Sequence, residues 1–518
     1  MDVNLRSVTQ THQTIGEPEG DVNLIVVSNR VARASGNEPM TGGLAAALLP
    51  VVEKSGAIWV GSSGRVRDGV HREPFAEIEQ LGAGALAMLD LPAAHYGGYY
   101  EGFANSALWP ALHSRPDLIR VSHDDYRSYR EVNAFMARAL LRFRKPDAAF
   151  WIQDYHFLAL GAELRQLGVN HPIGFFLHTP WPSRATIGCV PHHRELIEAM
   201  LAYDLIGFQT EEDRGNFLGY VGSELGLEVA DGAVTTAGGT TRCEVFAISI
   251  DSGAFAHQAQ KAMTHPEVSR LRKSLNGEKL VIGVDRLDYS KGLINRVKAF
   301  DKMLSDRPAL LRTVSLLQIA TPSRGTIEAY GNLQGDLAKL VSDVNGRLGE
   351  VDWTPIRYLN KGYRQSVLAG LYRSAHVGLV TPLQDGMNLV AKEYVAAQNP
   401  IDPGVLVLSK FAGAANELDT ALQVNPHDID GMSRVIAAAL AMPLTERRLR
   451  WEAMMAKLRD NSIQRWFGDF VGALERAHAD NRSHAPIPLA PSAPPSSMML
   501  AGGWSRRTPR AVGGAVLQ

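Results

Sequence analysis

KLVIGVDRLDYSKG, residues 279–292, decides how the chain is read: a short aliphatic run is followed at once by a polar, glycine-bearing stretch. The same unit recurs downstream at VSLLQIA (314–320), PIRYL (355–359), VGLVT (377–381) and VLVLS (405–409). Upstream, LIVVS (24–28), IWVG (58–61), AAFWI (148–152), IGFFL (173–177) and LIGF (205–208) form an earlier series. Each run is expected to be a strand followed by a loop and then a helix. Short β-branched runs alternating with longer amphipathic ones are the pattern of βαβ units, so the fold class is α/β with parallel sheets. Two series imply two sheets.

The stretch 251–272 separates the series, with the helix-stopping Thr264-His265-Pro266 inside it, and the division between domains is placed at 255/256. One helix is expected over 124–143, opened by Ser122 with Asp124 and Asp125 as an N-terminal cap. Pro50 is expected to kink or end the helix that follows Gly42-Gly43. Residues 443–480 read as helices. The ends, 1–21 and the Pro/Ser-rich 485–518, are expected to be disordered.

Composition narrows the function. The chain has 518 residues, with 53 Lys and Arg against 54 Asp and Glu, a net charge of −1. That balance argues against a nucleic-acid partner, which is usually met by a basic excess. With 45% hydrophobic and 21% charged residues it reads as an ordinary globular protein, too long for one core, and a cleft between two domains is the natural ligand site. Two cysteines, Cys189 and Cys243, make no disulfide framework. The first residues lack the apolar core of a signal peptide and no long apolar span occurs, so a cytoplasmic protein without membrane contact is expected.

In open α/β sheets ligands bind beyond the carboxyl ends of strands. The residues there are unusually polar: Asn29-Arg30 after the first strand, Gln153-Asp154-Tyr155-His156 after AAFWI, and His178-Thr179-Pro180-Trp181 after IGFFL. In the second series Asp285–Gly292, Thr321–Gly325 and Pro382–Asn388 follow strands. Any one charge in such a place is more often a solvated loop residue or a cap. Four cations at strand ends, Arg30, Arg286, Lys291 and Arg324, in a chain with no positive excess point to phosphates gathered in one place. Gly42-Gly43 and Gly386-Met387-Asn388 each lead into a helix N-terminus, where free N–H groups favour an anion. Neither matches the dinucleotide or P-loop fingerprints. Cys189, His192 and His193 lie close together but lack a fourth ligand at metal spacing, so they read as helix-end residues and no metal is expected. Asp428 and Asp430 read as a helix cap.

These motifs together resemble the retaining glycosyltransferases of trehalose-6-phosphate synthase type, glycosyltransferase family 20. The resemblance runs from about residue 22 to about 480 and is carried by SNR (28–30) with GGL (42–44), YYEGFAN…LWPALH (99–113), DYH (154–156), GFFLHTPWP (174–182), DLIGFQTEEDR (204–214), DRLDYSKG (285–292), PSRG (322–325) and TPLQDGMNLVAKEYVAAQ (381–398). It implies a GT-B fold: an acceptor domain over 22–255 and a nucleotide-sugar domain over 256–455 face each other across a deep cleft, and a C-terminal helix over 456–484 crosses back. It implies transfer of glucose from UDP-glucose to glucose 6-phosphate, giving trehalose 6-phosphate and UDP, with no cofactor and no metal. Arg286 and Lys291 would hold the donor diphosphate, assisted by the N–H groups of Met387, Asn388 and Leu389, and Glu393 the ribose. Asp385 would bind the transferred glucose, with His178 near its 6-hydroxyl or anomeric centre and Asp154 orienting the sugars. Gly43 would let backbone approach the donor phosphate, and Tyr363 would lie near the base. Arg30, Tyr100 and Arg324 would bind the acceptor phosphate, and Trp109 would pack on its ring.

The sequence departs from the family at Ser62, where an aromatic is usual, at Gln153 in place of His, and at Thr321 before Pro322-Ser323-Arg324. The first of these keeps open a transferase with another acceptor, glycerol 3-phosphate or a cyclitol phosphate. A catalytically silent sugar-phosphate sensor on the same fold is a third reading, opposed by the intact set Asp154, His178, Arg286, Lys291, Asp385 and Glu393. A homo-oligomer, dimer or tetramer, is expected. No phosphatase-like stretch accompanies the motifs, so a separate trehalose-6-phosphate phosphatase is expected to take the product.

Overall fold

The computed structural model describes residues 24–31, 43–67, 76–325 and 327–484. The expected disordered ends, 1–21 and 485–518, lie outside the described residues, as does Gly42. Two parallel-sheet α/β domains are present.

The first sheet has ten strands: β1 (Leu24–Arg30), β2 (Ile58–Arg67), β3 (Ala76–Leu81), β4 (Gly84–Pro92), β5 (Ala149–Gln153), β6 (Ile173–Phe176), β7 (Leu205–Phe208), β8 (Val229–Ala230), β9 (Ala233–Thr236) and β10 (Gly239–Val245). Their order is β3-β4-β2-β1-β5-β6-β7-β10-β9-β8, parallel from β4 to β10 and antiparallel at both edges. The second sheet holds β11 (Lys279–Arg286), β12 (Val314–Thr321), β13 (Ile356–Leu359), β14 (Val377–Val380), β15 (Val405–Ser409) and β16 (Leu422–Val424), in the all-parallel order β13-β12-β11-β14-β15-β16. In both domains the first strand sits where the strand order reverses, beside β5 in one sheet and β14 in the other. The carboxyl ends of β1, β5, β11 and β14 therefore flank the two switch-point crevices.

All ten expected strands form. Among the described residues no helix follows IWVG: the next elements after β2 are β3 and β4, where AEIEQL and GALAMLDLP close as an antiparallel hairpin around Gly82-Ala83, and VLVLS is followed by one short turn, Gly413–Asn416, before β16. Pro50 does not end its helix, which runs from Gly43 to Ser55 with Val51 and Val52 buried beyond it, so core contacts offset the lost hydrogen bond. The helix His123–Leu140 opens on a capping box between Ser122 and Asp125. Asp428 caps the helix Ile429–Ala441 by accepting from the Gly431 N–H at 2.7 Å.

The chain passes to the second domain between β10 and the helix Ser252–Lys261, which packs on the helices Gln365–Ser374 and Leu389–Ala397, a few residues ahead of the expected division at 255/256. It returns at Asn461. The last helix, Ile463–His484, lies on β6, β7 and β10 of the first domain. Trp466 and Phe470 pack on Trp151 at ring distances of 4.8 and 4.6 Å. Glycine is required beneath Phe470: a Cβ at Gly207 would come within 2.8 Å of its ring. Among the described residues no helix is long and apolar enough to cross a membrane.

Candidate functional site

The carboxyl ends of the two sheets enclose a cavity of about 400 Å³ between the domains. Arg286 ends β11, Lys291 follows it in the loop, and Arg324 follows β12, so three of the four strand-end cations line one cavity. Arg30 does not. It is exposed at the end of β1 with its guanidinium against Gly64, where a Cβ would come within 2.9 Å. Gly43 begins its helix, and its surroundings fall among residues not described.

On the second domain's side, Lys291 Nζ donates to Asp385 Oδ2 at 2.6 Å, and Asn388 Nδ2 donates to the same oxygen at 2.9 Å. Asn388 adopts a left-handed φ of 72° and begins the helix Leu389–Ala397, whose N-terminus no side chain caps. Met387, Asn388 and Leu389 thus present the first turn of a helix to the cavity. One turn on, Glu393 Oε1 accepts from Gln365 Nε2 at 3.0 Å. Burial pushes the Glu393 carboxyl up to about 7, with that hydrogen bond acting in the other direction. Tyr363 lines the same end, with Lys361 Nζ 5.0 Å from its ring centre.

From the first domain, Asp154 projects from the turn after β5 in a left-handed conformation, φ 73°, that few non-glycine residues adopt. Its Oδ1 accepts from the His178 N–H at 3.3 Å. Burial raises its carboxyl to about 6, moderated by hydrogen bonds from backbone N–H groups and by Arg286 and Arg324. His178 Nε2 pairs with Gln153 Oε1 at 2.8 Å, and burial pulls the imidazole down to about 3, which keeps it neutral. Gly386 of the second domain passes directly under His178: a Cβ there would stand 2.0 Å from the His178 carbonyl oxygen.

Aromatic side chains close the remaining wall. Arg324 lies 3.9 Å above the Trp109 ring and Arg286 5.1 Å from it. Arg324 Nη2 also donates to the Tyr155 hydroxyl across the domain boundary at 3.0 Å. Tyr100 stacks on His156 at 5.9 Å and on Tyr96 at 5.5 Å.

The arrangement offers fixed cations, a free helix N-terminus and buried carboxylates facing one another across an interdomain cleft. The family model for glycosyltransferase family 20 matches residues 23–476. The chain belongs to glycosyltransferase family 20. A trehalose-6-phosphate synthase from Sinorhizobium fredii is 45% identical over 454 residues, which cover 87% of this chain and 98% of that protein. The structure of an α,α-trehalose-phosphate synthase (UDP-forming) from Burkholderia xenovorans in complex with glucose 6-phosphate superposes with a TM-score of 0.85 at 44% identity, covering 88% of this chain and 100% of that one. A trehalose-6-phosphate structure from E. coli bound with UDP-2-fluoro glucose does so with a TM-score of 0.81 at 40% identity, covering 88% and 99%. This family 20 chain shares their GT-B arrangement of two domains about a cleft.

Three residues in or directly behind the wall of the family 20 cavity escaped the reading of the sequence. His113 packs on Trp109 at 3.9 Å, and burial lowers it to about 4. Gln365 holds Glu393, and nothing in the sequence marks it. Asp288, within DRLDYSKG, is fully buried beside Arg324 and Arg286; an acid among three cations was its only signal. The Cys189, His192 and His193 group is dispersed: His192 stacks on Tyr126 at 4.0 Å, His193 meets the Tyr220 hydroxyl, and Cys189 is exposed. Ser62 is buried, its hydroxyl accepting from the Gly64 N–H at 3.0 Å, so it shapes the turn beneath Arg30.

Proposed function

We propose that this chain transfers glucose from UDP-glucose to glucose 6-phosphate with retention, producing α,α-trehalose 6-phosphate and UDP. The observation that carries the reading is the meeting of Arg286, Lys291 and Arg324 in one cleft whose opposite wall bears Asp154 and His178. Two phosphorylated substrates need that many fixed cations, and an acceptor phosphate and a donor diphosphate need them at separate points.

In this reading the second domain holds the donor. Arg286 and Lys291 bind its diphosphate with the N–H groups of Met387, Asn388 and Leu389, Glu393 accepts from the ribose hydroxyls, and Tyr363 lies by the base. Asp385 binds the transferred glucose, and Gly43 permits close backbone approach. The first domain supplies Tyr100 and Trp109 to the acceptor, joined by Arg324 from across the cleft, while Arg30, which lies against Gly64 outside the cavity wall, would have to swing inward to reach the acceptor phosphate. Asp154 and neutral His178 orient the sugars.

Glycosyl transfer passes through an oxocarbenium-like state while negative charge grows on the leaving diphosphate. Cations already fixed there stabilise that state more than the ground state. Front-face attack lets the leaving phosphate take the acceptor proton, so the reading requires no protein nucleophile, and with Arg286 and Lys291 carrying the charge it requires no metal.

The reading extends to a cytoplasmic homo-oligomer, dimer or tetramer, whose product passes to a separate trehalose-6-phosphate phosphatase. The test is UDP release from UDP-glucose, with and without a chelator, against glucose 6-phosphate, glycerol 3-phosphate and a cyclitol phosphate. Turnover with glucose 6-phosphate is expected, unaffected by the chelator. Turnover with glycerol 3-phosphate alone, or ligand binding without turnover, refutes the reading.

A further inference from the structure

Asp288 faces both guanidinium groups of the cavity while being fully buried itself. Its Oδ2 accepts from Arg324 Nη1 at 3.2 Å and lies 4.0 Å from Arg286 Nη2. The Tyr330 hydroxyl, which accepts from Arg324 Nη1 at 2.7 Å, stands 3.5 Å from the same oxygen. The other oxygen, Oδ1, accepts from the Ser290 N–H at 3.0 Å, which fixes the carboxylate to the loop that carries Lys291. Burial alone would raise this carboxyl, but Arg324, Arg286 and Lys291 outweigh it and bring it down to about 2, so it is charged at neutral pH.

A negative charge at this place repels phosphates. It is an asset only if holding the arginines matters more than the repulsion. Arg324 is a long side chain on a left-handed residue, φ 49°, and it reaches a second domain; without fixed partners its fork would spread over many rotamers.

We propose that Asp288 is a positioning residue shared by the two anion sites: it holds Arg324 in the rotamer that meets the acceptor phosphate and restrains Arg286 toward the donor diphosphate. This rests on the substrate assignment above. Because the carboxylate is hydrogen-bonded to Arg324 and only near Arg286, the acceptor side depends on it more.

The two possible contributions of Asp288 have opposite signs in Asp288→Asn, which keeps the shape and removes the charge. Positioning predicts that glucose 6-phosphate binds at least tenfold more weakly, measured by calorimetry, and that UDP weakens less. It also predicts that the preference for glucose 6-phosphate over glucose in kcat/KM falls, which a general loss of structure would not cause. Tyr330→Phe, which keeps the charge and removes one hydrogen bond to Arg324, is expected to weaken glucose 6-phosphate severalfold and leave UDP unchanged. Should Asp288→Asn not fold, Asp288→Glu decides, because it keeps the charge and displaces the carboxylate by one methylene, and unchanged selectivity in it overturns the proposal. Equal or tighter binding of glucose 6-phosphate by Asp288→Asn, or an equal fall for glucose and glucose 6-phosphate, overturns the role of Asp288 alone. Failure of the unaltered protein to bind glucose 6-phosphate and UDP overturns the substrate assignment and this proposal with it.

Discussion

Lys291 Nζ and Asp385 Oδ2 are 2.6 Å apart and join the loop after β11 to the loop after β14, across the point where the strand order of the second sheet reverses. The pair binds the two loops to each other and sets a cation and a hydrogen-bond acceptor side by side in the cavity. If Lys291 serves the leaving diphosphate, Lys291→Met should lower kcat by about a hundredfold, the ~3 kcal/mol typical of losing one such donor. A purely structural ion pair would instead lower the melting temperature and leave kcat largely intact. Single-turnover kinetics beside a thermal melt distinguish the two.

Glu393 should give donor binding a pH dependence. Its carboxyl is raised by burial from an ordinary 4.5 to about 7. Between those values the folded chain holds a proton that the unfolded chain has released, so this group's contribution to stability is full below about pH 4.5, falls as pH rises through the window and levels off above about 7. If Glu393 is the ribose ligand, its ionised form accepts from the hydroxyls, so UDP-glucose affinity should rise across the upper part of the same window. Gln365→Leu removes the hydrogen bond that favours the carboxylate, and the midpoint of KM against pH should move upward. A KM independent of pH in both proteins counts against Glu393 as the ribose ligand.

Gly386 is a contact point between the domains. A methyl group there would stand 2.0 Å from the His178 carbonyl oxygen, which is backbone and cannot swing aside. Gly386→Ala should therefore cost about 1–3 kcal/mol of overpacking or force the domains apart. Activity should fall sharply. Gly346, where a Cβ meets nothing within 4 Å, is the control: Gly346→Ala lies within the helix Glu328–Leu348 and should leave activity unchanged and raise stability by about 0.5–1 kcal/mol.

What the sequence made legible follows from what is local. Strand runs such as KLVIGV, the cap at Ser122 and the glycine-led helix start at Asn388 depend on neighbours in the chain, and all were readable. The hairpin of β3 and β4 was missed because its strands lack the β-branched density of the others. Arg286, Lys291 and Arg324 could be gathered because strand ends converge in any parallel sheet. The same logic included Arg30, yet that side chain turns outside the cavity wall into the space left by the missing Cβ of Gly64, a contact that no motif announces. Gln365 and Asp288 act on other side chains from elements distant in sequence or hidden in a loop already full of charge, and such partnerships exist only once the chain is folded.

The buried ammonium of Lys392 ties together both passages of the chain between the domains. It is fully buried, donates to the Ile248 carbonyl at 2.7 Å and pairs with Glu417. Asn461, at the return passage, donates to Glu417 Oε1 at 2.6 Å and to the Ala247 carbonyl at 2.9 Å. The helix that carries Lys392 also carries Glu393, so the interdomain passages and the proposed donor site share one rigid element. Glu417→Ala would leave the ammonium buried without its counter-charge, a loss of about 3–5 kcal/mol, whereas adding Lys392→Met should recover much of it. Burial already pulls the Lys392 pKa down and Glu417 opposes that shift. Without Glu417 the folded-state value should drop further below the ordinary 10.5, so that the unfolded chain binds the extra proton over a wider range. Stability of Glu417→Ala should then climb as pH rises toward 10.5, over a wider range and by more in total than in the unaltered protein. Urea unfolding of the three proteins at neutral and alkaline pH measures both effects, and a Glu417→Ala protein as stable as the original at pH 7 would show that the pair does not hold the passages together.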